Sequence, residues 1–151
     1  RGTIFRVYLP AAAQTIPKIV EEPPRPIEGT GTILLVDDEE LILDVSTNLL
    51  EHLGYTVLAA KGGKKAVDIF KTHKNEIDIV ILDMIMPDMG GAETFDRMKA
   101  IDPNVKVLLS SGYSISGQAR EILNRGCDGF IQKPFNLAKL SRKISEILER
   151  R

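Results

Sequence analysis

The sequence predicts an α/β fold: a doubly wound parallel sheet of five strands with helices on both faces. From Thr32 onward, short apolar runs alternate with segments of helical period, the texture of repeated strand-helix units. The runs are apolar on both sides, as strands covered from above and below must be, and several of them stop at an acid or another polar residue. Right-handed crossovers with helices on both faces make a doubly wound sheet the economical arrangement.

The first run, residues 33–36, ends at Asp37-Asp38. Ile42, Val45, Leu49 and Leu53 then mark one helix face, which Gly54 can close. Residues 56–60 predict a second strand, and Ala66, Val67 and Phe70 the inward face of a second helix. Residues 77–82 predict a third strand that stops on Asp83, followed after Gly90-Gly91 by a helix carried by Phe95, Met98 and Ile101. A fourth strand is predicted over residues 106–110 and a helix over 117–125. The last strand falls near Phe130 and Ile131, and the last helix shows Leu137, Leu140, Ile144 and Ile147.

Ahead of these units the texture is different. Pro10, Pro17, Pro23, Pro24 and Pro26, with Gly29 and Gly31, read as a linker stiffened by its prolines. The 151 residues suffice for one ordinary domain and an appendage. Charge is nearly balanced, 20 Lys and Arg against 21 Asp and Glu, so no basic footprint for nucleic acid is present. The single cysteine, Cys127, cannot form an internal disulfide, which fits a reducing, cytoplasmic compartment. No run approaches the roughly 18 apolar residues of a membrane span, so no membrane contact is expected of this segment. Any membrane anchor is left to a parent protein.

In a doubly wound sheet ligands collect beyond the carboxyl ends of the strands. There the sequence places Asp37, Asp38, Asp83, Ser111 and Lys133. Two carboxylates about 4 Å apart repel by on the order of 4 kcal/mol at an effective dielectric near 20. Three acids at one edge therefore call for a cation, and an all-oxygen set suits a hard ion such as Mg2+. Lys133 offers a compact charge for a phosphate and Ser111 a hydroxyl donor, with Gly112 leaving the space beside it open. Taken singly, an Asp pair after a strand is ordinarily a turn or helix cap, and Lys133-Pro134 carries almost no information. Their joint occurrence at the strand ends is what points to a phosphate-and-metal site. His52 and His73 read as solvated, Met84, Met86 and Met89 as gap fillers, and Cys127 has no activating partner in the sequence.

These residues resemble the receiver domains of two-component response regulators. The resemblance is carried by Ile33-Leu34-Leu35-Val36-Asp37-Asp38-Glu39, by Ile81-Leu82-Asp83-Met84-Ile85-Met86-Pro87-Asp88-Met89-Gly90-Gly91, by Leu108-Leu109-Ser110-Ser111-Gly112-Tyr113 and by Phe130-Ile131-Gln132-Lys133-Pro134-Phe135. It implies a flavodoxin-like strand order 2-1-3-4-5, an order for which a chemotaxis receiver is itself a standard example. It also implies that Asp83 accepts a phosphoryl group from a phosphohistidine, and that Asp37, Asp38, Asp83 and the Ile85 backbone carbonyl hold Mg2+. Ser111 and Lys133 would grip the phosphoryl oxygens, Ser111 and Phe130 would act as the switch pair, and the Lys133-Pro134 bond would be cis. The implied partner is a histidine-phosphotransfer domain or a kinase dimerisation domain, with a homodimer a further expectation. Ser111 stands where a Thr is more usual, and Ile85 is apolar at a position that tunes phosphoryl lifetime in relatives.

The start of the chain, Arg1-Gly2-Thr3-Ile4-Phe5-Arg6-Val7-Tyr8-Leu9-Pro10, resembles the end of a histidine-kinase ATP-binding domain. The expected organisation is a kinase remnant over residues 1–10, a Pro-rich linker over 11–31 and a receiver over 32–151. With Arg1 in place of an initiating Met, this order suggests the receiver of a hybrid sensor histidine kinase, catalysis within the segment being limited to its own phosphoryl uptake and loss. A free-standing response regulator is the alternative. A Mg2+-dependent phosphohydrolase with an aspartyl nucleophile is a third reading. It is disfavoured because Ile85 stands where such an enzyme usually carries a second acid.

Overall fold

A computed structural model of the chain describes residues 2–6, 8, 25–112 and 117–150. Five strands and five helices alternate: β1 (Thr32–Asp37), α1 (Glu40–His52), β2 (Thr56–Lys61), α2 (Gly63–His73), β3 (Ile79–Asp83), α3 (Gly91–Ile101), β4 (Val107–Ser111), α4 (Gly117–Asn124), β5 (Gly129–Gln132) and α5 (Leu137–Glu149). The strands form one parallel sheet in the order β2-β1-β3-β4-β5. Every residue of β3 and β4 is buried, which is why these strands read as continuous apolar runs rather than alternating ones.

Each face of the sheet carries its own core. On one face, Leu43, Leu50 and Leu53 from the α1 side pack with Leu140, Ile144 and Ile147 of α5 over Ile33, Ile79, Ile81 and Ile131. On the other, Ala66, Val67, Phe70, Phe95, Met98 and Ile122 from α2, α3 and α4 cover Leu34, Val36, Val80, Leu82 and Leu109. Met84, Met86 and Met89 belong to this second core; they fill space between the β3–α3 connection and the helices, the role expected of an unbranched side chain.

One helix face differs from the expectation. Val45 and Leu49 lie outward, 51% and 43% exposed, together with Leu41 at 74%, while Leu43 and Leu50 face the sheet. The first helix is apolar on two sides, at Leu41-Val45-Leu49 and at Leu43-Leu50, so its spacing fits two different inward faces. Thr47 lies within this helix, and its hydroxyl oxygen is buried without a hydrogen-bond partner.

Candidate phosphoacceptor and metal site

The carboxyl end of β1 delivers Asp37 and the connection behind it Asp38. β3 delivers Asp83, β4 Ser111, and the turn after β5 Lys133. Since β1, β3, β4 and β5 are neighbours in parallel register, these ends meet at one edge of the sheet. The sequence-predicted site residues are therefore brought together. Asp37, Asp83 and Ser111 are 3%, 6% and 3% exposed, far more buried than unpaired acids tolerate.

The pairing is supplied by Lys133. Its Nζ donates to Asp37 Oδ2 at 2.7 Å and to Asp83 Oδ1 at 2.9 Å. The remaining oxygens are met by backbone: Glu39 N–H donates to Asp37 Oδ1 at 3.0 Å, and Ile85 N–H to Asp83 Oδ2 at 3.2 Å. Neither amide leaves a side-chain signature, so no motif reading could have assigned them. Burial raises the Asp83 carboxyl above its ordinary range and the Asp37 charge adds to this, against the lowering effect of Lys133 and the Ile85 amide. For Lys133 burial acts downward, but its bonds to the two carboxylates outweigh it and hold the ammonium above its usual value.

Oxygens of Asp37, Asp38 and Asp83 lie within 4.8 Å of one another. Three carboxylates at that spacing, backed by one lysine, form a hard all-oxygen donor set that fits Mg2+. Close packing behind the acids sets Asp83 in place. A Cβ on Gly91, the first residue of α3, would sit 2.5 Å from the Asp83 carbonyl oxygen, so the glycine lets α3 begin directly behind the acid. Lys133 follows from β5 through its own N–H, which donates to the Ser111 carbonyl at 2.8 Å, and the Lys133-Pro134 bond is cis. Phe130, opposite Leu109 in the β4–β5 ladder, is half-buried against the core that holds Ala119 and Ile122. Tyr113, at the end of the matched β4 stretch, lies outside the described residues.

Another cleft lies at the opposite end of the sheet between Thr30, Asp78, Asp102 and Lys106. Its charged groups are already engaged: Asp78 accepts from Thr32 N–H, Asp102 from Asn104 N–H, and Lys106 donates to the Leu148 and Arg150 carbonyls. The charged groups of that cleft therefore serve the fold.

Comparison with known proteins agrees with this geometry. Residues 33–145 match the family described as the response regulator receiver domain. Over 160 aligned residues, 99% of this chain is 32% identical to the sensor kinase CckA of Brucella abortus (strain 2308). The chain spans only 17% of that kinase's length. Among solved structures, a response regulator receiver domain protein from Clostridium thermocellum superposes with a TM-score of 0.76 at 32% identity, covering 80% of this chain and 95% of that one. The CheX-CheY-BeF3-Mg+2 complex from Borrelia burgdorferi matches with a TM-score of 0.75 at 29% identity, over 80% of this chain and 90% of that one.

Proposed function

We propose that this chain, which belongs to the response regulator receiver domain family and is a receiver domain of a two-component system, takes its phosphoryl group on Asp83 from a phosphohistidine of a partner domain. The observation that carries the reading is the shared grip of Lys133 on Asp37 and Asp83 beside a third acid, Asp38. One carboxylate oxygen of Asp83 attacks phosphorus; the O–P bond forms as the N–P bond of the phosphohistidine breaks, and the leaving imidazole nitrogen keeps the electron pair. Lys133 stays within reach of Asp83 and neutralises the oxygens that arrive, and the Ser111 hydroxyl donates to another of them. Burial of Asp83 limits the water that could hydrolyse the product.

Asp37, Asp38, Asp83 and the Ile85 carbonyl would hold Mg2+, whose role when bound is to screen the acids and the incoming phosphoryl oxygens. The related CheY of Borrelia burgdorferi, solved in a complex named for both BeF3 and Mg2+, supports this assignment.

The segment is read as the receiver of a hybrid sensor histidine kinase, with a kinase remnant at residues 1–10 and a linker ahead of the sheet. The support is an alignment to a sensor kinase that takes in 99% of the chain, residues before the receiver included. A cytoplasmic location suits a domain phosphorylated by such a kinase, and no helix among the described residues is long and apolar enough to cross a membrane. Titration with beryllofluoride, a phosphoryl mimic, tests the central claim. Saturable NMR shifts at Asp83 and Ser111 that need Mg2+ and vanish in Asp83→Asn are expected. Binding that survives that substitution would place the acceptor elsewhere.

A further inference from the structure

Residues 25–31 precede the sheet and read as linker, yet they are tied down at several points. Ile27 N–H donates to Ser141 Oγ at 2.9 Å, across 114 residues of sequence. Gly29 N–H donates to the Leu53 carbonyl at 2.9 Å, and the Gly31 carbonyl accepts from Thr56 N–H at 2.9 Å. Ser141 is fully buried on α5, its hydroxyl donating to the Ala138 carbonyl at 3.1 Å, so Ile27 supplies the donor for a lone pair of a buried hydroxyl. Leu53 follows the last turn of α1, where carbonyls lack partners within the helix; Gly29 fills one of these vacancies.

The fit is also steric. A Cβ at Gly29 would run into the Tyr55 ring, and one at Gly54 would come within 2.5 Å of the Gly29 carbonyl oxygen. The segment thus crosses Tyr55 at contact distance. Tyr55 is 5% exposed, and burial raises its phenol above the ordinary value.

We propose that residues 25–31 are a docked strap, the occupant of a groove formed by the C-terminal end of α1, the start of β2 and the buried side of α5, and that this strap couples the chain ahead of the domain to α5. The exit path of the upstream chain is then set by Ser141, Leu53 and Tyr55 rather than by a free tether. Movement of α5 moves the strap, and tension on the upstream chain loads α5.

Amide hydrogen exchange on the whole chain tests this. Ile27 and Gly29 amides should exchange at least about tenfold more slowly than those of Glu28 and Thr30. Ser141→Ala should abolish protection at Ile27 while leaving Leu34 in β1 protected. Ile27→Pro, which deletes the donor and leaves α5 unaltered, should speed exchange in α5 from Lys143 to Ile147 several-fold without changing α3. Gly29→Val should in addition lower the midpoint of Tyr55 ionisation, read by ultraviolet absorbance. Exchange of Ile27 at the free-peptide rate in the parent chain would overturn the docking. An α5 indifferent to Ile27→Pro would overturn the coupling.

Discussion

Lys133 donates to Asp83 Oδ1 at 2.9 Å while the same ammonium holds Asp37 Oδ2 at 2.7 Å. One cation thus offsets the charge of two buried carboxylates, from a turn 50 residues beyond Asp83. Lys133→Met should leave both acids unneutralised and destabilise the metal-free domain by about 3 kcal/mol, the low end for a broken buried pair because Lys133 is itself partly exposed. Millimolar Mg2+ should restore much of that loss, as read by thermal unfolding with and without the ion.

The raised Asp83 carboxyl makes stability depend on pH. A group whose folded value lies above its unfolded one favours the fold below the ordinary carboxyl range, near pH 4, and loses that contribution as pH rises through the folded value. Asp83→Asn cannot ionise. Its metal-free form should therefore melt a few degrees above the parent chain at neutral pH, and the gap should close as pH falls below about 4. A constant gap across that window would exclude ionisation of Asp83 as its cause.

Asp38 is the half-buried member of the acid cluster. Asp38→Ala should weaken Mg2+ at least about tenfold, since loss of a direct ligand should cost no less than loss of a supporting contact. Stability without metal should stay level or rise as like charges are removed. Calorimetric titration of Mg2+ measures the first effect and thermal melting the second.

Ser111→Ala should still take beryllofluoride at Asp83 but blunt the NMR shift at Phe130. Phosphorylation adds roughly −1.5 to −2 charge and three acceptor oxygens, and only a contact made in one state and not the other can shift a switch. Phe130 sits opposite Leu109 in the neighbouring strand, two residues from Ser111. An undiminished shift at Phe130 would route the signal past Ser111.

Cys127 should resist alkylation. Burial pushes its thiol up to about 11. At pH 8 its thiolate fraction is then roughly a hundredfold below that of a free cysteine. Timed labelling with iodoacetamide in folded and urea-unfolded chain should show that ratio.

Most strand and helix positions were legible in the sequence because their cause is local. Residues 33–36 and 79–82 are apolar on both faces, and strands buried from two sides must be so; the observed strands begin and end within one or two residues of the predicted ones, β3 starting at Ile79 just past the exposed Asp78. The acids were legible for a related reason. Asp37 and Asp83 are the last residues of their strands, and in a parallel sheet all such ends share an edge. The phase of α1 was not legible, because Leu41, Val45 and Leu49 compete with Leu43 and Leu50 for the inward side, and only contact with β1 and α5 chooses between them.

By itself, then, the sequence determined the order of the units, the sheet they build and the residue types gathered at its carboxyl edge, all of which follow from short apolar runs alternating with segments of 3.6-residue period and from what ends each run. Tertiary structure alone decided which atoms meet. Lys133 reaches Asp37 across 96 residues and Ser141 reaches Ile27 across 114. Such contacts depend on how elements pack in three dimensions, and local periodicity carries no record of that distance. Residues 25–31 are the sharpest case: Pro26 and two glycines read as part of a tether, and they become a strap only because Tyr55, Leu53 and Ser141 stand close enough to receive them.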